Sequence, residues 1–175
     1  MGLVRSKTPA EERDRWRTPQ RWFDLLNRRY GPFTLDAAAT ELNTKCDLWL
    51  GPGSLWLEDA LAGSWNIKTI HHGSGNDRRV FCNPPYSLTA EFVEKAWTEM
   101  DLGHVASVTL LIPATPDVRW FHRWAWKDGK PRPNTIVDFP EGRIRFERPD
   151  GSLAGSPTHG SMFITFRKEG QARLF

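Results

Sequence analysis

The 175-residue sequence predicts an α/β fold: one mixed sheet, mostly parallel, closed by an antiparallel C-terminal hairpin and covered by helices on both faces. Three observations carry the prediction. Through the first part of the chain, short apolar runs alternate with helix-period segments, the order that βα units impose. The run VASVTLLIP, residues 105–113, is apolar almost throughout, as a central strand buried on both faces must be. The last third then changes to TIVDF, GRIRFE and SMFITF, strand-like runs separated by turn residues, of which the final two are expected to pair antiparallel. No internal repeat or low-complexity segment interrupts this order.

Residues 1–15, MGLVRSKTPAEERDR, are polar and aperiodic, and are expected to form a flexible arm ahead of a single domain over 16–175. In RTPQRWFDLLNRRYG, Thr18 is placed to cap a helix and Pro19 to open it. Trp22, Phe23, Leu25 and Leu26 form its apolar stripe, and Gly31 ends it. FTLD, Phe33 to Asp36, reads as a short strand, and AAATELN turns from it into a second helix or a helical turn. From Trp49 to Arg79 the expectation is loops with at most one short helix, followed by the strand VFCN. After NPPY, SLTAEFVEKAWTEM sets Phe92, Val93, Ala96, Trp97 and Met100 on one face of a helix that stops at Asp101 and Gly103. Asp117 is placed to cap a further helix, VRWFHRWAWK.

Length gives room for one substantial core, not two. Lysine plus arginine number 24 against 21 acids, with a pI near 9.1, which permits a polyanionic partner without requiring one. Placement says more. Between Arg119 and Arg148 the cations Arg119, Arg123, Lys127, Lys130, Arg132, Arg143, Arg145 and Arg148 outnumber Asp128, Asp138, Glu141 and Glu147, which fits either a nucleic-acid face or a solvated one. Nine tryptophans, several beside basic residues as in RWFHRWAWK, are core material, with one or two available as stacking surfaces for bases. Cys46 and Cys82 have no paired spacing, which argues against a disulfide framework and a zinc knuckle. His71 and His72, in the glycine-bearing stretch HHGSGNDRR, read as exposed loop without ligand spacing, so no metal is expected. With neither a charged-then-apolar leader nor a long apolar run, the expectation is a cytoplasmic protein with no membrane association.

The stretch RVFCNPPYSL carries the chemistry. In an open α/β sheet, ligands collect beyond the carboxyl ends of the strands, and Asn83 falls at such an end. Its side-chain oxygen is an acceptor, while Pro84 and Pro85 keep their carbonyl oxygens and present no N–H to repel a donor. Two rigid acceptors suit an exocyclic NH₂ group: accepting both hydrogens draws the nitrogen out of conjugation and leaves lone-pair density for an electrophile. Tyr86 follows, able to stack on the ring that bears the amine. Such a site makes a planar amine nucleophilic without a charged base.

NPPY resembles the catalytic signature of S-adenosylmethionine-dependent amino-methyltransferases, which act on adenine N6, cytosine N4 or a glutamine amide. The likeness extends in order through WRTPQRWFDLLNRRYGPFTLDAAATELNTKC, EDAL with Trp65, VFCNPPYS, LLIPA with RWFH, and GRIRF, over roughly residues 16–166. That ordered set is similar to the small phage-type, Dam-like DNA N6-adenine methyltransferases. The resemblance implies a class I, Rossmann-like methyltransferase fold, S-adenosylmethionine as cofactor, DNA as partner, and methyl transfer to N6 of a flipped-out adenine. It also implies roles for individual residues. Thr18 and Pro19 line the methionine end of the cofactor site, Asp36 faces the cofactor ammonium, and Ala37 and Ala38 let the backbone approach. Asn83, Pro84, Pro85 and Tyr86 form the catalytic element, Asn83 also bordering the cofactor. Asp59 is either an acceptor for ribose hydroxyls or the cofactor adenine, or a surface acid. Independently of the resemblance, the cation-rich stretch offers Arg119, Arg143 and Arg145 as candidates for DNA phosphates, the last two alternating on one face of GRIRF. LDAAAT replaces the glycine-rich loop many methyltransferases carry, and neither GPG at Gly51 nor GSG at Gly73 follows a clear strand. Two alternatives stand beside the adenine reading: cytosine-N4 methylation, and a nucleic-acid-binding module that has lost catalysis.

Overall fold

A computed structural model describes residues 8–69, 75–155 and 159–168. Its centre is a six-stranded sheet in the order β2-β1-β3-β4-β8-β7, built from β1 (Leu35–Asp36), β2 (Leu48–Trp49), β3 (Arg79–Cys82), β4 (Ser107–Pro113), β7 (Thr135–Asp138) and β8 (Ser161–Arg167). The β2-β1-β3-β4 pairings are all parallel, and β8 runs antiparallel to both of its neighbours, β4 and β7. A separate two-stranded ribbon joins β5 (Trp126–Lys127) to β6 (Lys130–Pro131). This is the mixed, mostly parallel architecture the sequence predicts.

Alternation along the strands assigns the two faces. Val80 and Cys82 of β3, Val108, Leu110 and Ile112 of β4, and Met162, Ile164 and Phe166 of β8 meet the helices α3 (Thr89–Asp101) and α4 (Arg119–Trp124). Their neighbours Phe81, Leu111 and Phe163 point the other way, onto Phe23, Leu26 and Tyr30 of α2 (Gln20–Tyr30). Every residue of β4 from Ser107 to Ile112 is buried, as its unbroken apolar run requires. A polar pair inside that sandwich, Thr109 and Thr165, stands opposite in register and satisfies itself, hydroxyl to hydroxyl at 3.0 Å.

Several expectations are corrected. The antiparallel partner of SMFITF is TIVDF, not GRIRF. GRIRF runs extended without joining the sheet and sinks Ile144 and Phe146 into the α2 face of the core. Thr18 does not cap α2, where Pro19 takes the cap position with no side-chain hydrogen bond, and Asp117 does not cap α4, whose cap position is Val118. Of the two forms expected of AAATELN, a helix or a helical turn, it takes the turn, with Asn43 and Thr44 N–H both reaching the Thr40 carbonyl at 3.1 and 3.0 Å. Residues 8–15 of the expected arm are placed against the domain and include the one-turn helix α1 (Ala10–Arg13), with Arg148 Nε bonded to Glu12 Oε1 at 3.0 Å. His71, His72 and Gly73 lie outside the described residues.

Candidate active site

The parallel strands β1 and β3 end side by side. Asp36 pairs with Phe81 in register, and Ala37 N–H bonds the Phe81 carbonyl at 2.9 Å, which brings the end of β1 beside Asn83, one residue beyond β3. The ladder stops there because Pro84 and Pro85 have no N–H to continue it. A single 3₁₀ turn, Tyr86–Leu88, follows, closed by Leu88 N–H on the Pro85 carbonyl (2.9 Å) and the Thr89 hydroxyl on the Tyr86 carbonyl (2.9 Å). Asn83 Nδ2 donates to the Trp16 carbonyl at 3.4 Å. A carbonyl only accepts, so that interaction fixes the amide's orientation and leaves Oδ1 on the other side. Oδ1 is buried and has no hydrogen-bond partner among the described residues, a state that costs about 1–3 kcal/mol unless a ligand donates to it. The Tyr86 ring meets Trp16 and Phe146 edge-on, at 6.0 and 5.9 Å between centroids. Burial pushes its phenol well above the usual range, which suits a packing surface rather than a base.

Asp36 is only 3% exposed. Its two oxygens accept the backbone N–H groups of Ala38 (3.3 Å) and Lys45 (3.1 Å). Burial outweighs those bonds and pushes the carboxyl up to about 6. A cavity of about 710 Å³ opens beyond these strand ends, and Thr18, Asp36, Ala37, Ala38, Asp59, Asn83 and Pro85 all line it. Asp59 sits exposed at the rim, where its Oδ1 accepts Leu61 N–H at 2.9 Å. Seven sequence-derived candidates thus share one cavity with residues that sequence reasoning missed: Asp14, Trp16, Lys45, Gly51 and Glu58 among them.

Gly51 corrects an expectation. It does follow a strand, β2, whose two residues are too few to signal one, and its backbone crosses Ala39 so closely that a Cβ would lie 2.1 Å from the Ala39 carbonyl oxygen. With φ at +139°, the position demands glycine twice over. The close-approach glycine absent after β1 stands after β2 instead, on the same cavity wall.

Other candidates fall elsewhere. Pro19 and Pro84 are buried but do not line the cavity. Tyr86 faces a second cavity of about 220 Å³, shared with Arg13, Trp16, Thr115, Trp120 and His159. Trp16 is common to both cavities. Arg119, at the start of α4, lies exposed outside both. Arg143 and Arg145 are exposed on the outer side of the extended segment whose inner residues are Ile144 and Phe146, and Phe146 stacks on Trp16 at 5.8 Å. Among the described residues no three His, Cys, Asp or Glu gather as a metal site, and no helix is long and apolar enough to cross a membrane.

Comparison with known proteins adds to this geometry. Residues 5–173 match the family model described as DNA N-6-adenine-methyltransferase (Dam). Two similar proteins bear that same name. One, from Escherichia phage T1, is 34% identical over 116 residues, covering 66% of this chain and 42% of its own length. The other, from Haemophilus phage HP1, is 28% identical over 120 residues, covering 68% of this chain and 61% of its own. The matched region thus spans less than two thirds of either relative.

Proposed function

The chain belongs to the DNA N-6-adenine-methyltransferase (Dam) family, and from that premise we propose that it transfers a methyl group from S-adenosylmethionine to N6 of an adenine flipped out of DNA. The observation that carries this reading is Asn83, which lines the 710 Å³ cavity and whose side-chain oxygen is buried and unpartnered among the described residues. What it lacks is a donor, and an exocyclic amine supplies one.

The residues around the cavity fit the cofactor. Asp36 would hold its ammonium group, Thr18 and the Ala37–Ala38 backbone its methionine end, and Asp59 a hydroxyl at the rim. When bound, S-adenosylmethionine supplies an electrophilic methyl group. The chain does the rest by orientation and polarisation. Asn83 Oδ1 accepts one N6 hydrogen. The second falls to a carbonyl of the Pro84–Pro85 pair; Pro85 lines the cavity, and its carbonyl, bonded to Leu88 N–H, keeps a second lone pair. Held by two acceptors, the amine turns its lone pair from the ring toward the cavity, and its proton is lost after transfer. Flipping a base out of a duplex costs a few kcal/mol. Tyr86, Trp16 and Trp120 wall the second cavity, and Trp16 also borders the cavity of Asn83; stacking of the flipped base on these rings would return about 1–3 kcal/mol. Arg119, Arg143 and Arg145 bind backbone phosphates, giving affinity and register rather than sequence.

DNA incubated with the protein and methyl-labelled S-adenosylmethionine, then digested to nucleosides, tests the proposal. Label is expected in N6-methyladenine. Label in N4-methylcytosine would transfer the assignment to cytosine, and no label in any base would remove it.

A further inference from the structure

We infer that Asp14 is a positioning residue for the catalytic loop: acting through Ser87, it holds the segment 12–17 as a strap that sets which way the Asn83 amide faces. The inference rests on the methyl-transfer reading of the site. Asp14 Oδ1 accepts the Ser87 backbone N–H at 3.0 Å, and Oδ2 accepts the Ser87 hydroxyl at 2.6 Å. Two donors on one residue thus meet two acceptor oxygens on another. A carboxylate accepts from both at once, whereas an asparagine would accept the N–H and have to donate to the Ser87 hydroxyl, a neutral and weaker version of the pair. Two residues further along, the Trp16 carbonyl takes the Asn83 Nδ2 hydrogen at 3.4 Å. Both ends of NPPYS therefore hang from the same short segment.

The strap's other edge is anchored. Arg17 and Glu147 exchange backbone hydrogen bonds at 2.8 and 3.0 Å, Arg148 bonds Glu12 at 3.0 Å, and the Trp16 indole stacks on Phe146, which is fully buried. At 3.4 Å the Asn83 hydrogen bond is long and weak on its own. Its geometry depends on how the strap and the loop are set against each other: Trp16 packs edge-on with Tyr86, and Asp14 with Ser87 adds the directional, hydrogen-bonded link. Without that link the amide is free to rotate, presenting NH₂ where an acceptor is needed.

Asp14→Ala, Asp14→Asn, Ser87→Ala and the Asp14→Ala/Ser87→Ala double variant test the inference against wild type. The readouts are steady-state kinetics, calorimetric binding of S-adenosylmethionine, and hydrogen exchange of the Ser87 amide. Asp14→Ala should lower kcat by about 10- to 100-fold, the scale of a displaced catalytic group, while methyl-donor affinity and KM stay close to wild type. Ser87 amide exchange should quicken. Ser87→Ala keeps the backbone hydrogen bond and should be impaired less, and the double variant should be no worse than Asp14→Ala, because both changes remove one interaction. Asp14→Asn, with one acceptor left, should fall between, and it carries the test if the alanine variant does not fold. Unchanged kcat per folded molecule would make Asp14 a structural staple only. A raised KM at unchanged kcat would make it a cofactor ligand. Either result overturns the inference. Should the wild type methylate no base, the functional reading fails separately, and Ser87 exchange alone decides: unchanged exchange in Asp14→Ala means Asp14 does not hold the loop.

Discussion

At Asp36, burial and hydrogen bonding pull in opposite directions, and burial prevails, leaving a carboxyl that titrates at about 6 instead of 3.8. An acid whose folded pKa lies above its unfolded one penalises the folded state once ionised. The free protein therefore loses that stability as pH rises from 3.8 to about 6, on the order of 3 kcal/mol in all. A bound cation favours the ionised form and recovers it. S-Adenosylmethionine affinity should accordingly rise between pH 5 and 7, by up to about tenfold per unit below the pKa, then level off. Asp36→Asn should bind weakly with no such slope, measured by calorimetry at each pH, and a parallel slope in the variant would place the titrating group elsewhere. Asn83 was legible in the sequence because it ends an apolar strand against two prolines, whereas Asp36 stood out through the family resemblance, its strand-end place being one a helix-capping aspartate also takes. Asp14 was not, since its partner Ser87 lies 73 positions away and nothing local distinguishes it from its acidic neighbours.

The elements most easily read were those with enough residues to show a pattern, a helical period in α2 and α3 and an unbroken apolar run in β4. β1 and β2 have two residues each, and β2 escaped notice because its pairing partner, not its own pattern, makes it a strand. GRIRF has the alternation of a strand but spends its backbone on a different neighbour: Ala154 N–H bonds the Phe146 carbonyl at 2.8 Å, and Glu147 pairs with Arg17. Periodicity reports which side chains are buried, not which backbone they pair with. The turn after β2 gives a test at this scale. Gly51→Ala forces a Cβ against a backbone carbonyl at positive φ, so it should destabilise the protein by about 1–3 kcal/mol and weaken S-adenosylmethionine binding. Gly155→Ala, where a Cβ meets nothing within 4 Å, is the control expected to do neither in thermal denaturation or calorimetry. Equal behaviour of the two variants would deny Gly51 its close approach.

Across the whole molecule, parallel strands deliver their carboxyl ends to one edge, which is why residues as distant in sequence as Asp36 and Asn83 share a cavity. The fold class could be anticipated from the order of elements, whereas the strap over that edge depends on tertiary packing against residues 83–87 and 146–148. Arg143 and Arg145 lie on the outside of this same segment, away from both cavities, which suits binding without chemistry. Neutralising both should weaken binding to all DNA sequences alike. It should also flatten the plot of log affinity against log salt by about 0.9 for each duplex phosphate that the protein no longer neutralises. An unchanged salt slope would move the phosphate-binding face elsewhere, and a changed preference at one base would make the arginines readers of the groove. The central claim, that the unpartnered Asn83 oxygen acts on the target amine, is tested most directly by single-turnover methyl transfer to DNA in Asn83→Ala, with S-adenosylmethionine binding and thermal unfolding measured on the same preparation. The predicted result is transfer reduced by about 10²- to 10³-fold, the loss typical of one preorganised polar group in an active site, in a protein that still folds and still binds the methyl donor. Turnover near the wild-type rate in that folded, cofactor-binding variant would contradict the claim.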